Sequence, residues 1–325
     1  MVSLLATFLL TLLLITAIGI VRASNLFNAV MLAGIYSLQI AAIFFVLDAA
    51  DVALTEAAVG AGVATVLFLG ALSLTDDREK PRPRGSRITI VVVASVVTAI
   101  LYPTFDYPLP GDPTTPVHQH VSQWYIAETP TLIDVPNVVT AILASFRGYD
   151  TLGELFVILT AGVGVMFLLA PPTARQAARV PSADKLGLRH HLVPRVAGLL
   201  LVPFIVLFGL YVQFHGDFGP GGGFQAGTLV AAGFILHALL EGEPASLRVL
   251  PPHVLAILTV AGAWLYAGVG VAGMLMGGSF LDYSVLSADP VAGQHLGILL
   301  IELGVGLTVA GVLLNIFHAF AARRQ

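Results

Sequence analysis

HGDFGPGGGFQAG, residues 215–227, crowds five glycines and a proline between His215 and Phe224. It separates two apolar runs, 194–213 and 223–240, each close to the ~20 residues needed to cross a hydrocarbon layer. Glycine-rich turns that open a helix can cradle phosphate. A phosphate loop, however, needs a Lys-Ser or Lys-Thr after its last glycine. Here Phe224-Gln225-Ala226-Gly227 follow. Between two membrane spans, glycines let the backbone enter the membrane edge and pack closely on another helix. Irregular backbone at that depth survives only when protein covers it or when it lines a watery cavity. His215, Asp217 and Gln225 are the polar side chains placed beside such a cavity.

The same pattern extends along the chain. Of 325 residues, 57% are hydrophobic and only 10% charged, against roughly 25% in soluble domains, and the mean hydropathy is +0.91. Apolar stretches of spanning length fall at 2–21, 26–47, 52–74, 87–103, 152–170, 194–213, 223–240, 252–278 and 294–319. The expected fold is therefore all-α, a polytopic membrane protein of about nine transmembrane helices. The run at the start is too long for a signal-peptide core and has no basic region before it, so it reads as a retained helix. Segment 136–146, PNVVTAILASF, is too short to span and reads as a re-entrant or interfacial helix. The net charge of −4 leaves no basic face for nucleic acid. There are no cysteines, hence no disulfides, thiolate zinc sites or cysteine-bound iron–sulfur clusters. No HExxH or nucleophile–base spacing occurs. Neither catalytic residues, nor a metal, nor a cofactor is expected.

Basic residues orient the spans. Arg78, Lys80, Arg82, Arg84 and Arg87 follow the third span, and Arg175, Arg179, Lys185, Arg189 and Arg195 lie between the fifth and sixth. With the N-terminus outside and the C-terminus cytoplasmic, these ten and Arg22, Arg248, Arg323 and Arg324 all face the cytoplasm. Of the 15 Lys and Arg residues, only Arg147 falls outside. Residues 76–86 and 171–193 then read as cytoplasmic linkers. They divide the chain into blocks 1–75, 87–170 (with a long outer loop) and 194–325.

Charges within spans are costly and point to function. Glu56, Glu154 and Glu302 qualify. Asp51 opens the third span with Glu56 deeper, and Asp150 opens the fifth with Glu154 one turn in. Each pair reads either as a helix-start cap with a dipole-complementing Glu or as part of a proton or cation relay. His295 and Glu302, seven residues apart, share a helix face and suit proton transfer. His237, His318 and Asn315 are weaker candidates.

HGDFGPGGGFQAGTLVAAGFIL resembles the signature of the B subunit of Mrp-type multisubunit Na+/H+ antiporters and of its counterpart in membrane-bound hydrogenases. GQHLGILLIELGVGLTVAGV continues that likeness. Residues 137–154, NVVTAILASFRGYDTLGE, resemble the E-type module of these complexes, and residues 27–63 resemble the D-type module. The resemblance implies a D-type module at 1–75, an E-type module at 87–170 and a B-type module at 194–325. It implies a hetero-oligomeric complex in a prokaryotic cell membrane, with large antiporter subunits and several small membrane subunits, moving Na+ and H+. It also carries site expectations. Asp51 and Glu56 match the D module; Arg147, Asp150 and Glu154 match RGYDTLGE; His215, Gly221, Gly222, Gly223 and Gln225 match the B signature. Arg147 is the expected counter-charge to Asp150 or Glu154. Gly216-Asp217-Phe218 departs from the pattern, where a His often follows the glycine. Two alternatives stay open: a purely structural scaffold role, or membership of a redox-driven ion pump.

Overall fold

A computed structural model describes residues 2–76, 78, 87–108, 112–169 and 192–323. Most of the linkers 76–86 and 171–193, with many of the basic residues that orient the spans, lies outside these. The described residues hold nine helices long and apolar enough to cross a membrane, so the expected architecture is present. They are α1 (Val2–Arg22), α2 (Leu26–Val46), α3 (Ala50–Leu72), α4 (Arg87–Leu101, continued by a 3-10 turn at Tyr102–Asp106), α7 (Gly148–Leu169), α8 (Leu192–His215), α9 (Gly223–Glu241), α11 (Pro252–Leu275) and α12 (Pro290–Arg323). Shorter helices between them include α5 (Val121–Leu132), α6 (138–146) and α10 (Glu243–Val249).

The bundle is organised around α12. Its most apolar window is 61% buried, and that of α9 is 56% buried, while α4 has none of its window covered by the chain. Helix α12 packs against α11, α9 and α7, α8 packs on α9, and α1 packs on α2. In lipid there is no hydrophobic gain from pairing apolar helices, so close approach of small residues supplies the attraction. Gly262 and Gly304 show this at the α11–α12 crossing. A Cβ on Gly304 would stand 2.7 Å from the carbonyl oxygen of Gly262, and one on Gly262 would crowd Gly304 and Thr308 in turn.

Two helices depart from the α geometry. In α3, residues Ala57–Ala64 (AAVGAGVA) wind as a π-helix, and α6 ends in another at Ala141–Phe146. Such segments are rare and gather at functional sites. Val63, within the first, is buried in a core that also includes Ala141, Leu155, Ile235, Tyr266 and Ile301. The core thus draws on α3, α6, α7, α9, α11 and α12 and on the loops before α6 and before α12.

Candidate functional site

The glycine stretch forms the α8–α9 turn. Gly222 has φ +116 and ψ 178, a conformation that glycine alone adopts without strain. Its N–H donates to the Val212 carbonyl at 3.1 Å, folding the turn back onto the end of α8. Added Cβ atoms on Gly221 and Gly216 would each meet backbone atoms of the turn within 3 Å. Gly223 lies directly on the α12 backbone at Glu302 and Gly306. An added Cβ at Gly221, Gly222 or Gly223 would thus meet a neighbouring atom at 3.0 Å or less.

Four polar groups tie this turn to the rest of the chain, and Asn137 does most of it. Asn137 caps α6 by accepting from the Val139 N–H at 3.0 Å, the usual role of Asn before a first helical turn. Its side-chain N–H₂ donates to the Gly216 and Gly219 carbonyls at 3.1 and 2.9 Å and to Asp51 Oδ1 at 3.2 Å. Its backbone N–H donates to the Asp217 carbonyl at 2.9 Å. Thr140 Oγ1 adds a 2.7 Å bond to the Gly216 carbonyl. Asp51 also accepts from the Gly221 N–H at 3.3 Å. Gln225 Nε2 donates to Thr55 Oγ1 at 2.8 Å. Asp51 therefore binds across the bundle, and no bond from its carboxylate to its own helix start is among those found in the described residues.

Beneath the turn is a cavity of about 280 Å³. Its polar lining comprises Asp51 and Thr55 from α3, Thr140 from α6, Thr151 and Glu154 from α7, Gly221–Gly223 and Gln225 from the turn and α9, and Glu302 from α12. Apolar side chains, among them Val139, Leu143, Phe224, Ile301 and Val305, form the rest of the wall. Three carboxylates thus converge from separate parts of the sequence, and no Lys, Arg or His stands among the lining residues. The Glu302 carboxylate lies against the turn: a Cβ on Gly222 would be 3.0 Å from Glu302 Oε1, and one on Gly216 would be 3.2 Å from Oε2. Asp51 and Asp217 are the carboxylates that act on it electrostatically.

None of the other expected residues lines this cavity. Glu56 accepts from the Ser37 hydroxyl on α2. Five residues of α-helix rotate it ~140° from Asp51, whereas Thr55, at i+4, shares the Asp51 face. Arg147 forms an ion pair with Asp150, with side chains 58% and 46% exposed. His215 stacks on Tyr211 with ring centroids 4.9 Å apart. Asp217 lies outside the spans. Burial pushes its carboxyl above the ordinary range, and the nearby His295 charge pulls it part of the way back. His295 thus acts on Asp217, while its seven-residue offset from Glu302 corresponds to ~10 Å along the axis. Toward the opposite end of α12, His318 Nδ1 stands 3.9 Å from Glu243 Oε1. Among the described residues, no group of three or more His, Asp or Glu side chains is arranged to hold a metal ion.

Sequence reasoning passed over Thr55, Thr140, Thr151 and above all Asn137. A signal existed for two of them: Thr55 lies one helical turn from Asp51, and Asn137 precedes an apolar run after Pro136, as a cap does.

Comparison with known proteins finds family matches in three regions of the chain. Residues 193–315 match the family described as "Domain related to MnhB subunit of Na+/H+ antiporter". Residues 11–77 match the family of the D subunit of MBH, and residues 84–183 match that of its E subunit. A putative antiporter subunit mnhB2 of Staphylococcus aureus is 33% identical over 137 residues, 41% of this chain and 96% of that protein. A probable K(+)/H(+) antiporter A/B subunit of Rhizobium meliloti is 26% identical over 311 residues, 86% of this chain. An uncharacterized protein of Methanocaldococcus jannaschii is 32% identical over 159 residues, 45% of this chain. The chain spans 30% of the length of the Rhizobium protein and 60% of that of the Methanocaldococcus protein. Among solved structures, the Mrp complex from Dietzia sp. DQ12-45-1b superposes with a TM-score of 0.76 at 26% identity, over 96% of this chain and 34% of that one. The chain is a multi-pass membrane protein of the family of MnhB-type antiporter subunits, with regions matching the D and E subunits of MBH joined to it in one polypeptide.

Proposed function

We propose that this protein is a membrane subunit of a multisubunit Na+/H+ antiporter and that the cavity beneath the glycine turn is a station on its cation and proton route. The observation that carries this is the convergence of Asp51, Glu154 and Glu302 on one cavity with no basic residue in its lining. Carboxylates that line one largely apolar cavity are costly to keep charged without a compensating cation, so they favour holding protons or a passing cation. That is the exchange an antiporter needs. Hydroxyl oxygens of Thr55, Thr140 and Thr151 and the Gln225 amide supply the neutral oxygen ligands for a partly dehydrated Na+. Asp217, His295 and the Arg147–Asp150 pair stand at the rim and set the local field. Glu56 flanks the cavity and holds α3 to α2.

The D-type, E-type and B-type modules are proposed as 1–75, 87–170 and 194–325, with the N-terminus outside and the C-terminus in the cytoplasm of a prokaryotic cell. The site joins all three modules, which gives a physical reason for them to travel together. Large antiporter subunits and small membrane subunits are the proposed partners, since the chain has few charges with which to drive ion movement alone. The test is exchange in everted vesicles with Glu302→Gln in an intact complex. Loss of Na+-dependent proton movement supports the route, and wild-type exchange leaves only a scaffold role. The MBH matches favour a second reading, the same cavity in a redox-driven assembly. A purified complex that carries iron–sulfur or nickel subunits would select it.

A further inference from the structure

Two buried tyrosines outside the cavity bond to the junction between α6 and α7, the helix that carries Glu154. Tyr266 of α11 and Tyr283, in the loop between α11 and α12, are each fully buried. Among the core side chains they are the largest, and both carry a hydroxyl into an otherwise apolar interior. Tyr266 donates to the Gly148 carbonyl at 2.7 Å, and Tyr283 donates to the Ala144 carbonyl at 3.0 Å. Both acceptors flank Arg147, where the π segment of α6 ends and α7 begins. Helix ends leave backbone groups without intrahelical partners, and a buried tyrosine hydroxyl normally finds one. The two hydroxyls also neighbour each other, and Tyr266 reaches the Thr151 hydroxyl.

Two further features hold this junction. A Cβ on Gly148 would stand 3.2 Å from the Tyr283 hydroxyl oxygen and 3.5 Å from Leu281 Cδ1. Leu281 itself has φ +64, a strained conformation for a branched residue that the surrounding structure must impose. The junction is therefore clamped from the loop and from α11 together. Glu154 follows Gly148 by six residues, ~9 Å along α7.

We propose that Tyr266 and Tyr283 are positioning residues that pin the α6–α7 junction and thereby set where Glu154 stands in the wall of the cation cavity. This rests on the cavity being the cation station. A pin of this kind sets how tightly the cation is held; it does not touch the cation.

The test uses the whole complex in everted vesicles, with Tyr266→Phe and Tyr283→Phe made both in the wild type and in a Glu154→Gln background. Phenylalanine keeps the ring, so packing is preserved and only the bond is lost. In the wild-type background each variant should raise the apparent KM for Na+ about five- to tenfold, the scale of one buried hydrogen bond, with Vmax changed less than about twofold and subunits still co-purifying. In the Glu154→Gln background the same substitutions should leave KM where Glu154→Gln alone puts it, because the group they position is gone. An equal KM shift in both backgrounds, or none in either, overturns the positioning role while leaving the cavity reading intact. If Glu154→Gln alone leaves KM unchanged, the cavity reading fails at Glu154 and the positioning role falls with it. Should a Phe variant not assemble, Gly148→Ala serves instead, since its Cβ only nudges the two hydroxyls. It should shift KM in the same direction by less, and again only when Glu154 is present.

Discussion

Gly223→Ala is the sharpest test of how the turn is seated. A Cβ built on Gly223 runs into the Glu302 carbonyl oxygen, and it lies 2.9 Å from the Glu302 carbonyl carbon and 3.0 Å from the Gly306 nitrogen. These are backbone atoms inside a long helix, which cannot swing away as a side-chain tip would. The α9–α12 spacing must open, or α9 must slide. Overpacking of this kind costs about 1–3 kcal/mol, which for a chain of this size corresponds to a fall in melting temperature of about 2–6 °C. The same shift separates Gln225 on α9 from Glu302 on α12, so exchange should fall with stability. The assay is thermal unfolding of the purified complex in detergent, alongside Na+-dependent proton movement in vesicles. Gly153→Ala is the control: its Cβ meets nothing within 4 Å, and in a helix interior the change should be neutral or stabilise by up to about 1 kcal/mol. Wild-type stability and exchange in Gly223→Ala would refute the packing argument. A loss as large in Gly153→Ala would do so too, because it would show that any added methyl is disruptive.

Other variants probe the network around the cavity. Asn137→Ala removes a helix cap and the donor shared by Asp51, Gly216 and Gly219, and should cost about 2–3 kcal/mol in thermal unfolding. Asn137→Asp keeps the cap but sets a second carboxylate against Asp51, so it should be no better than the alanine. Arg147→Ala breaks an ion pair that is about half exposed. It should therefore change stability by less than about 1 kcal/mol in the same melts, and its effect should shrink further in high salt. Asp217 has its folded carboxyl raised above the ordinary value of 3.8 by burial. The native state then binds the proton more tightly than the unfolded state, so this group's contribution to stability is present at low pH and is lost as pH climbs from about 3.8 through the raised value. Asp217→Asn should flatten that part of the melting-temperature–pH curve and raise stability above it.

Much of this was legible in the sequence, and the reasons for success and failure are physical. Spans are set by hydrocarbon thickness, so runs such as 223–240 and 252–278 declare themselves without tertiary information. The turn was readable because only glycine serves at Gly222, with φ +116, and at Gly223, where backbones touch. The pairing of Asp51 with Glu56 was less secure. The two are close in sequence, yet an offset of five residues turns them to different faces, Asp51 toward Gly221 and Asn137, and Glu56 toward Ser37. Helical periodicity alone could have separated them. The meeting of Asp51, Glu154 and Glu302 was not legible, because it depends on α3, α7 and α12 folding around one turn. Nor was the part played by Asn137, whose bonds reach residues 79, 82 and 86 positions away.

The central claim is that the cavity, rather than membrane carboxylates in general, carries the exchange. The measurement is Na+-dependent proton movement by the reconstituted complex bearing Asp51→Asn, Glu154→Gln and Glu302→Gln together, beside a complex bearing Glu56→Gln alone. The triple variant should assemble and lose exchange, while Glu56→Gln should retain most of it. Undiminished exchange with all three cavity carboxylates neutralised would contradict the claim.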